Sequence, residues 1–217
     1  MSEAERPAPE PRWPALVAVL AVGVLNLVVP EQLSFGPAWG LLAMIAALAL
    51  PTMIFHQIGR RRLNEAFAYA GLAVITGALV GSLSLLLSRL PMHKDPPVEL
   101  LRAAAALWVA NILVFASWYW RLDGGGPNER DRRGAHVDGA FLFPQMMMDT
   151  ELKVRMGEEY WSPGFVDYLF LAFNTSTAFS PTDVPVLSRW AKVMMIIQSI
   201  ISLTTVALLA ARAVNIL

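Results

Sequence analysis

Four long, nearly uncharged apolar runs, at residues 38–58, 66–90, 100–120 and 193–216, decide what this chain can fold into. A helix rises about 1.5 Å per residue, so about 20 residues cross the ~30 Å hydrocarbon layer of a bilayer. All four runs reach that length. Two shorter runs, 15–29 (closed by Pro30) and 165–180, read as tilted, re-entrant or locally thinned spans. A soluble fold is excluded by number, because such runs leave too little polar surface to solvate it. Only 16% of the residues are charged, against about a quarter in soluble domains. A membrane barrel would need alternating segments of about ten residues, and these runs do not alternate. The expectation is an all-α, polytopic transmembrane bundle of about six helices.

The charged residues collect between the runs, which divides the chain. Residues 1–12 are acidic and proline-rich and read as a disordered tail. Residues 13–120 form a four-helix membrane region, 121–163 a polar loop, and 164–217 a helix pair joined by a hydroxyl-rich turn. The tryptophans and tyrosines at 13, 39, 118–120, 160, 161 and 190 flank the runs, where amphipathic rings favour the headgroup layer. Pro51 should kink the second helix or break its hydrogen-bond ladder. The loop's FLFPQMMM patch at 141–148 is too short to span, so it lies on the bilayer or packs beneath the bundle.

With six spans and the amino terminus inside, twelve Lys and Arg fall inside against five outside, Arg60, Arg61 and Arg62 being the clearest cluster. That pattern predicts that both termini are cytoplasmic. If 165–180 instead returns to its own side, the number of spans is odd and one terminus lies outside. Net charge is zero, which gives no reason to expect nucleic acid. The absence of cysteine removes disulfides, thiolate metal sites and cysteine nucleophiles. No catalytic or phosphate-binding motif occurs, and His56, His93 and His136 lack ligand spacing. Neither enzymatic activity, nor a metal, nor a cofactor is expected.

Polar residues within the runs are the candidates for function. Gly77, Gly81, Ser84 and Ser88 share one face of the third helix. They read as a helix–helix packing seam, or else as the lining of a permeation path. Gln198, Ser202 and Thr205 make one stripe on the last helix. Glutamine in hydrocarbon needs partners, so the stripe is either an interhelical hydrogen-bonding face or a wall turned to water. Asn26 and Asn111 read as bonded to neighbouring helices.

The stretch 167–183, DYLFLAFNTSTAFSPTD, passes from aromatic residues to hydroxyls, a proline and an acid. Laid ungapped on the pore stretch of potassium-type channels, it matches at Asp167, Leu169, Phe173, Thr175, Thr177 and Asp183, with an aromatic at Phe170. The segment therefore resembles a pore helix, filter loop and inner helix. The filter departs from the pattern. Its five positions hold Ala178, Phe179, Ser180, Pro181 and Thr182, and both glycines are absent. A ladder of backbone carbonyls needs those glycines, so any ion would be met by side chains. The candidates are Thr175, Ser176, Thr177, Ser180, Thr182 and Asp183, together with Gln198, Ser202 and Thr205. Asp183 reads equally as an acid at a pore mouth, a helix N-cap or a loop acid beside Arg189.

The carboxy-terminal half also resembles a family of small multi-pass bacterial membrane proteins of unknown function. Phe143 and Pro144, the aromatic run 167–173, Thr182 to Val184, then Ser188 and Arg189 occur in that family's order. This resemblance implies a bacterial inner-membrane protein and no activity. The expected function is a channel-like cation pore module without potassium selectivity, with the lipid bilayer, further copies of the chain and an inorganic cation as partners. The alternatives are a non-transporting scaffold or regulator, and a small carrier.

Overall fold

A computed structural model describes residues 10–34, 36–89, 96–133, 136, 139–159, 161–180 and 183–214. The fold is an all-helical bundle. Its elements are α1 (Trp13–Asn26), α2 (Gly40–Gln57), α3 (Arg61–Arg89), α4 (Pro97–Leu122), α5 (Pro127–Arg133), α6 (Thr150–Met156), α7 (Phe165–Ala178) and α8 (Arg189–Val214). Four helices, α2, α3, α4 and α8, are long and apolar enough to cross a membrane. The 14 residues of α1 and the 14 of α7 give only about 21 Å each.

Local chemistry sets the helix ends. Proline opens α1 and α4, where its missing N–H costs nothing. Gly59, at φ +72°, closes α2, and the Arg60 N–H returns to the Phe55 carbonyl at 2.9 Å; this is a left-handed helix stop of the kind glycine favours. Helix α2 continues as one helix through Pro51, which has no N–H to give to the ladder. Thr52, next to it, bonds its hydroxyl back to the Leu48 carbonyl at 2.8 Å.

The central helix is α4, which packs on α1, α3, α7 and α8. Ala103, Ala104, Ala110 and Ala116 are buried along it and admit close neighbours. The residues at 118–120 therefore do not all flank the bilayer. Tyr119 and Trp120 are buried, and the Trp118 indole donates to Thr76 at 2.9 Å. Three successive residues point three ways round a helix, and here two of the directions meet the core. Trp13 and Trp39 are exposed, as expected of flanking residues.

The third helix packs through Leu72, Ile75, Leu79, Ser82, Leu83 and Leu86. The face of Gly77, Gly81, Ser84 and Ser88, expected as a seam, does not take the core within the chain. Gly77, Ser84 and Ser88 face outward and Gly81 is half-buried. The two serines bond to their own helix, at the carbonyls of Val80 and Leu85. Large aliphatic residues on the opposite face bury more apolar area, and that face takes the core.

The helices alternate between two ends of the bundle. Arg12, Asn64 and Asn128 lie at one end, where α1 and α3 begin and α2 and α4 finish. Asn26 marks the other end, and it bonds to Ser34 and the Ala38 carbonyl in the α1–α2 connection rather than to a neighbouring helix. Residues 121–163 form more than a polar loop. Three glycines, Gly124, Gly125 and Gly126, all with positive φ, turn the chain back under the bundle. At Gly126 a Cβ would sit 2.6 Å from the Arg121 carbonyl oxygen, so only glycine fits. Phe141 and Phe143 are buried beneath the helices, which selects packing beneath the bundle over lying on the bilayer. The reading of 1–12 as a disordered tail is corrected at its end, because Glu10 and Arg12 pack against α4 and α5.

Candidate functional site

The site is built by a helix that ends inside the bundle. Several contacts fix the direction of α7. Near its start, Phe165 meets Trp120 and Tyr168 meets Phe141. Nearer its end, Phe173 meets Trp108 and Ser176 meets Asn111. Helix α7 therefore runs antiparallel to α4. The start of α8 lies at the same end as the start of α7, since Trp190 also packs on Phe141, with centroids 6.0 Å apart. Going deeper, Gln198 bonds to Ala172 and Ser176, and Ser202 bonds to Ser176. Helices α7 and α8 thus point the same way.

The chain between them has to double back, and the described part of it is tied at the Arg12 end. Phe141 and Val186 form an antiparallel bridge. The Leu142 N–H donates to the Pro185 carbonyl at 3.0 Å, and the Leu187 N–H to the Ala140 carbonyl at 2.8 Å. So 165–180 enters the bundle and the chain returns to the same end, the re-entrant one of the forms its length allowed, and α2, α3, α4 and α8 remain as candidate spans with α1 a shorter apolar helix. The first described helix, α1, begins at the Arg12 end and the last, α8, finishes at the other end of the bundle.

This topology explains the polar stripe on α8. A helix ending at Ala178 leaves its last carbonyls without intrahelical donors. In hydrocarbon no water can supply them. The Ser202 hydroxyl donates to the Ser176 carbonyl at 2.6 Å and accepts from the Trp108 indole at 3.0 Å. The Gln198 amide donates to the Ala172 carbonyl at 2.7 Å and to the Ser176 hydroxyl at 2.8 Å, and its oxygen accepts from Tyr119 at 2.6 Å. Asn111 donates to the Gln198 carbonyl at 3.2 Å. Thr205 returns its hydroxyl to Ile201 and Ser202. Gln198, Ser202 and Thr205 are each fully buried. Of the two readings of the stripe, interhelical bonding is the one observed.

The eight described residues among the nine sequence candidates separate into two groups. Ser176 bonds with Gln198 and Ser202, and Thr175 and Thr205 are buried beside them, Thr175 donating to the Leu171 carbonyl of its own helix at 2.8 Å. Thr177, Ser180 and Asp183 are exposed, Thr177 bonding to the Phe173 carbonyl at 2.9 Å. Thr182 lies outside the described residues, as does Pro181. Asp183 does not cap α8. Ser188 does, accepting from the Ala191 N–H at 3.3 Å. The helix stops at Phe179, which holds φ +53°, the one non-glycine with positive φ among the described residues. A left-handed conformation costs a side-chain-bearing residue about 1–2 kcal/mol, and such strain gathers where backbone shape serves function.

A second network, which the sequence did not announce, anchors the half-helix at its entrance. Asp123 is fully buried at the end of α4. Its carboxylate accepts from His136 Nε2 at 2.7 Å, from the Tyr168 hydroxyl at 2.8 Å and from the Ala140 N–H. Arg130, 4% exposed, donates to the carbonyls of Trp120 and Asp123 and to Glu10 at 2.8 Å. Its guanidinium also lies 5.5 Å above the Tyr168 ring. A cation on the last carbonyls of α4 favours both the dipole and the unmet acceptors there. The sequence held one usable signal, an acid directly after a long aromatic helix and before three glycines. Among the described residues no cluster of His, Asp and Glu could hold a metal ion.

Together these features define a multi-pass helical bundle of membrane type with a re-entrant half-helix. No family model matches the chain, and neither a curated protein nor a solved structure matches it.

Proposed function

We infer that this chain is a subunit of a cation-conducting pore, in which α7, its return segment and α8 form a pore loop. The observation that carries the reading is the doubling back of the chain between two helices that point the same way. Support comes from electrostatics. The C-terminal end of a helix carries about half an elementary negative charge, and that of α7 is held at depth in the bundle. The exposed hydroxyls of Thr177 and Ser180 follow it, and the carboxylate of Asp183 stands at the Arg12 end. Without the two glycines, side chains rather than stacked carbonyls would meet the ion. Within one chain the sealed group is spent on bonds between and within the helices, so a path requires several copies around an axis.

We read the Arg12 end as cytoplasmic, on a positive-inside argument. With α7 re-entrant, that end receives, among the described residues, Arg12, Arg60, Arg61, Arg62, Arg121, Arg130, Arg132, Arg133, Lys153, Arg155, Arg189 and Lys192. The other end receives Arg89, Arg102 and Arg212. The pore loop would then enter from the inside, and the carboxy terminus would lie outside. A bacterial inner membrane follows from the family resemblance.

The test is cation flux into liposomes carrying the purified protein. Asp183→Asn is expected to lower flux about fivefold, the equivalent of ~1 kcal/mol on the barrier. Thr177→Val should lower it less, because that hydroxyl already bonds to its own helix. Absent flux, or flux indifferent to both substitutions, would remove this function.

A further inference from the structure

A half-enclosed cavity of about 180 Å³ lies between α1, α2, α3 and α4, away from the pore loop. Its walls change character along the bundle. Val19, Ile45, Leu48, Phe67 and Leu72 line the deep part, and Arg12, His56, Gln57, Arg121 and Asn128 line the part at the Arg12 end. The outer wall is α2, whose Leu50, Met53 and Ile54 are exposed. The cavity is therefore amphipathic along its length, apolar at depth and cationic at its end.

The two arginines there are under-used. Arg121 lies over the Trp120 ring at 4.8 Å, and no carboxylate among the described residues comes within 4.0 Å of it. Arg12 spends one nitrogen on Asp131, but its Nη1 is buried with no hydrogen-bond partner, Glu10 lying 3.7 Å away. Both guanidinium groups retain donor capacity beside an apolar slot. Asn64 and Asn128 are instead committed, Asn128 to Asn64 at 2.8 Å and Asn64 to the Thr52 carbonyl at 2.7 Å.

We propose that this cavity binds one anionic membrane lipid, its phosphate held by Arg12 and Arg121 and the first part of one acyl chain lying between α1, α2 and α3. Charge complementarity selects the headgroup, since guanidinium pairs with phosphate through short, charge-assisted bonds. Size limits the chain. A cavity of about 150 Å³ accepts a benzene-sized group, so this one takes the proximal part of a single chain while the rest remains in the bilayer. Basic pockets between membrane helices bind anionic headgroups in this way.

Native mass spectrometry of the full-length protein tests the proposal, using two synthetic lipids with identical tails, phosphatidylglycerol and phosphatidylcholine. The protein should retain phosphatidylglycerol at least about tenfold better, the equivalent of one charge-assisted contact. Arg121→Gln should bring the preference below about twofold. Among the described residues Arg121 has no ion pair to lose, so that variant should fold, and Arg121→Lys should keep part of the preference. Ala68→Leu, which narrows the apolar slot, should weaken retention of both lipids. Equal retention of the two lipids, or an unchanged preference in Arg121→Gln, would overturn the proposal. So would displacement of bound lipid by glycerol phosphate alone, which would make the ligand a soluble anion.

Discussion

Asp123→Ala is expected to destabilise the fold by about 3–5 kcal/mol, the range for breaking a buried charged pair or network. The carboxylate accepts from His136, Tyr168 and the Ala140 backbone in a place with no exposed area. Its removal orphans three donors, and each buried unmet group costs about 1–3 kcal/mol. It also withdraws a negative charge from beside Arg130, which is nearly as buried. The loss bears on function as well, because Tyr168 belongs to the first turn of α7 and Ala140 bonds to the return segment. Thermal unfolding in detergent, followed by tryptophan fluorescence, checks the value. Asp183→Ala is the control, since an exposed acid should change stability by less than about 0.5 kcal/mol.

The second large effect concerns Gln198. Gln198→Leu keeps the volume and removes every side-chain bond that joins α4, α7 and α8 through this residue. Tyr119 then holds a buried hydroxyl without its acceptor, and α7 loses the Gln198 donor to the Ala172 carbonyl and the Ser176 hydroxyl. A loss of about 2–3 kcal/mol is expected. A cycle with Tyr119→Phe separates the pair from general packing. The double variant should be less destabilised than the two single variants taken together, by about 0.5–3 kcal/mol. Additive effects would mean that the Tyr119–Gln198 bond contributes nothing to the fold.

Helix class and number were largely legible in the chain, because apolar length is a one-dimensional property. Runs 38–58, 66–90, 100–120 and 193–216 each became a helix within a few residues. The stripe Gln198, Ser202, Thr205 was also legible as a single face. Its purpose was not, since that depends on where another helix stops. Whether 165–180 spans or returns turns on contacts such as Phe141 with Val186, which lie 45 positions apart. The outward placement of Gly77 was hidden for a related reason. Small residues permit a close approach, but nothing local says that a neighbour makes one. The Asp123 network was the least visible, because it collects Glu10, Arg130, His136 and Tyr168 from four separate segments. Taken singly, each of these looks like an ordinary charged or aromatic residue at a run end.

The re-entrant course of α7 is the claim on which the pore reading rests, and single-cysteine labelling in intact membranes tests it directly. The chain has no native cysteine, so Met147→Cys, Asp183→Cys and Val98→Cys each report one position. Met147 lies in the segment under the bundle, Asp183 in the return, and Val98 at the start of α4 at the other end; all three are exposed. A membrane-impermeant maleimide should reach residues 147 and 183 from the same side and residue 98 from the opposite one. Labelling of 147 and 183 from opposite sides would mean that α7 crosses the membrane, and would contradict the account.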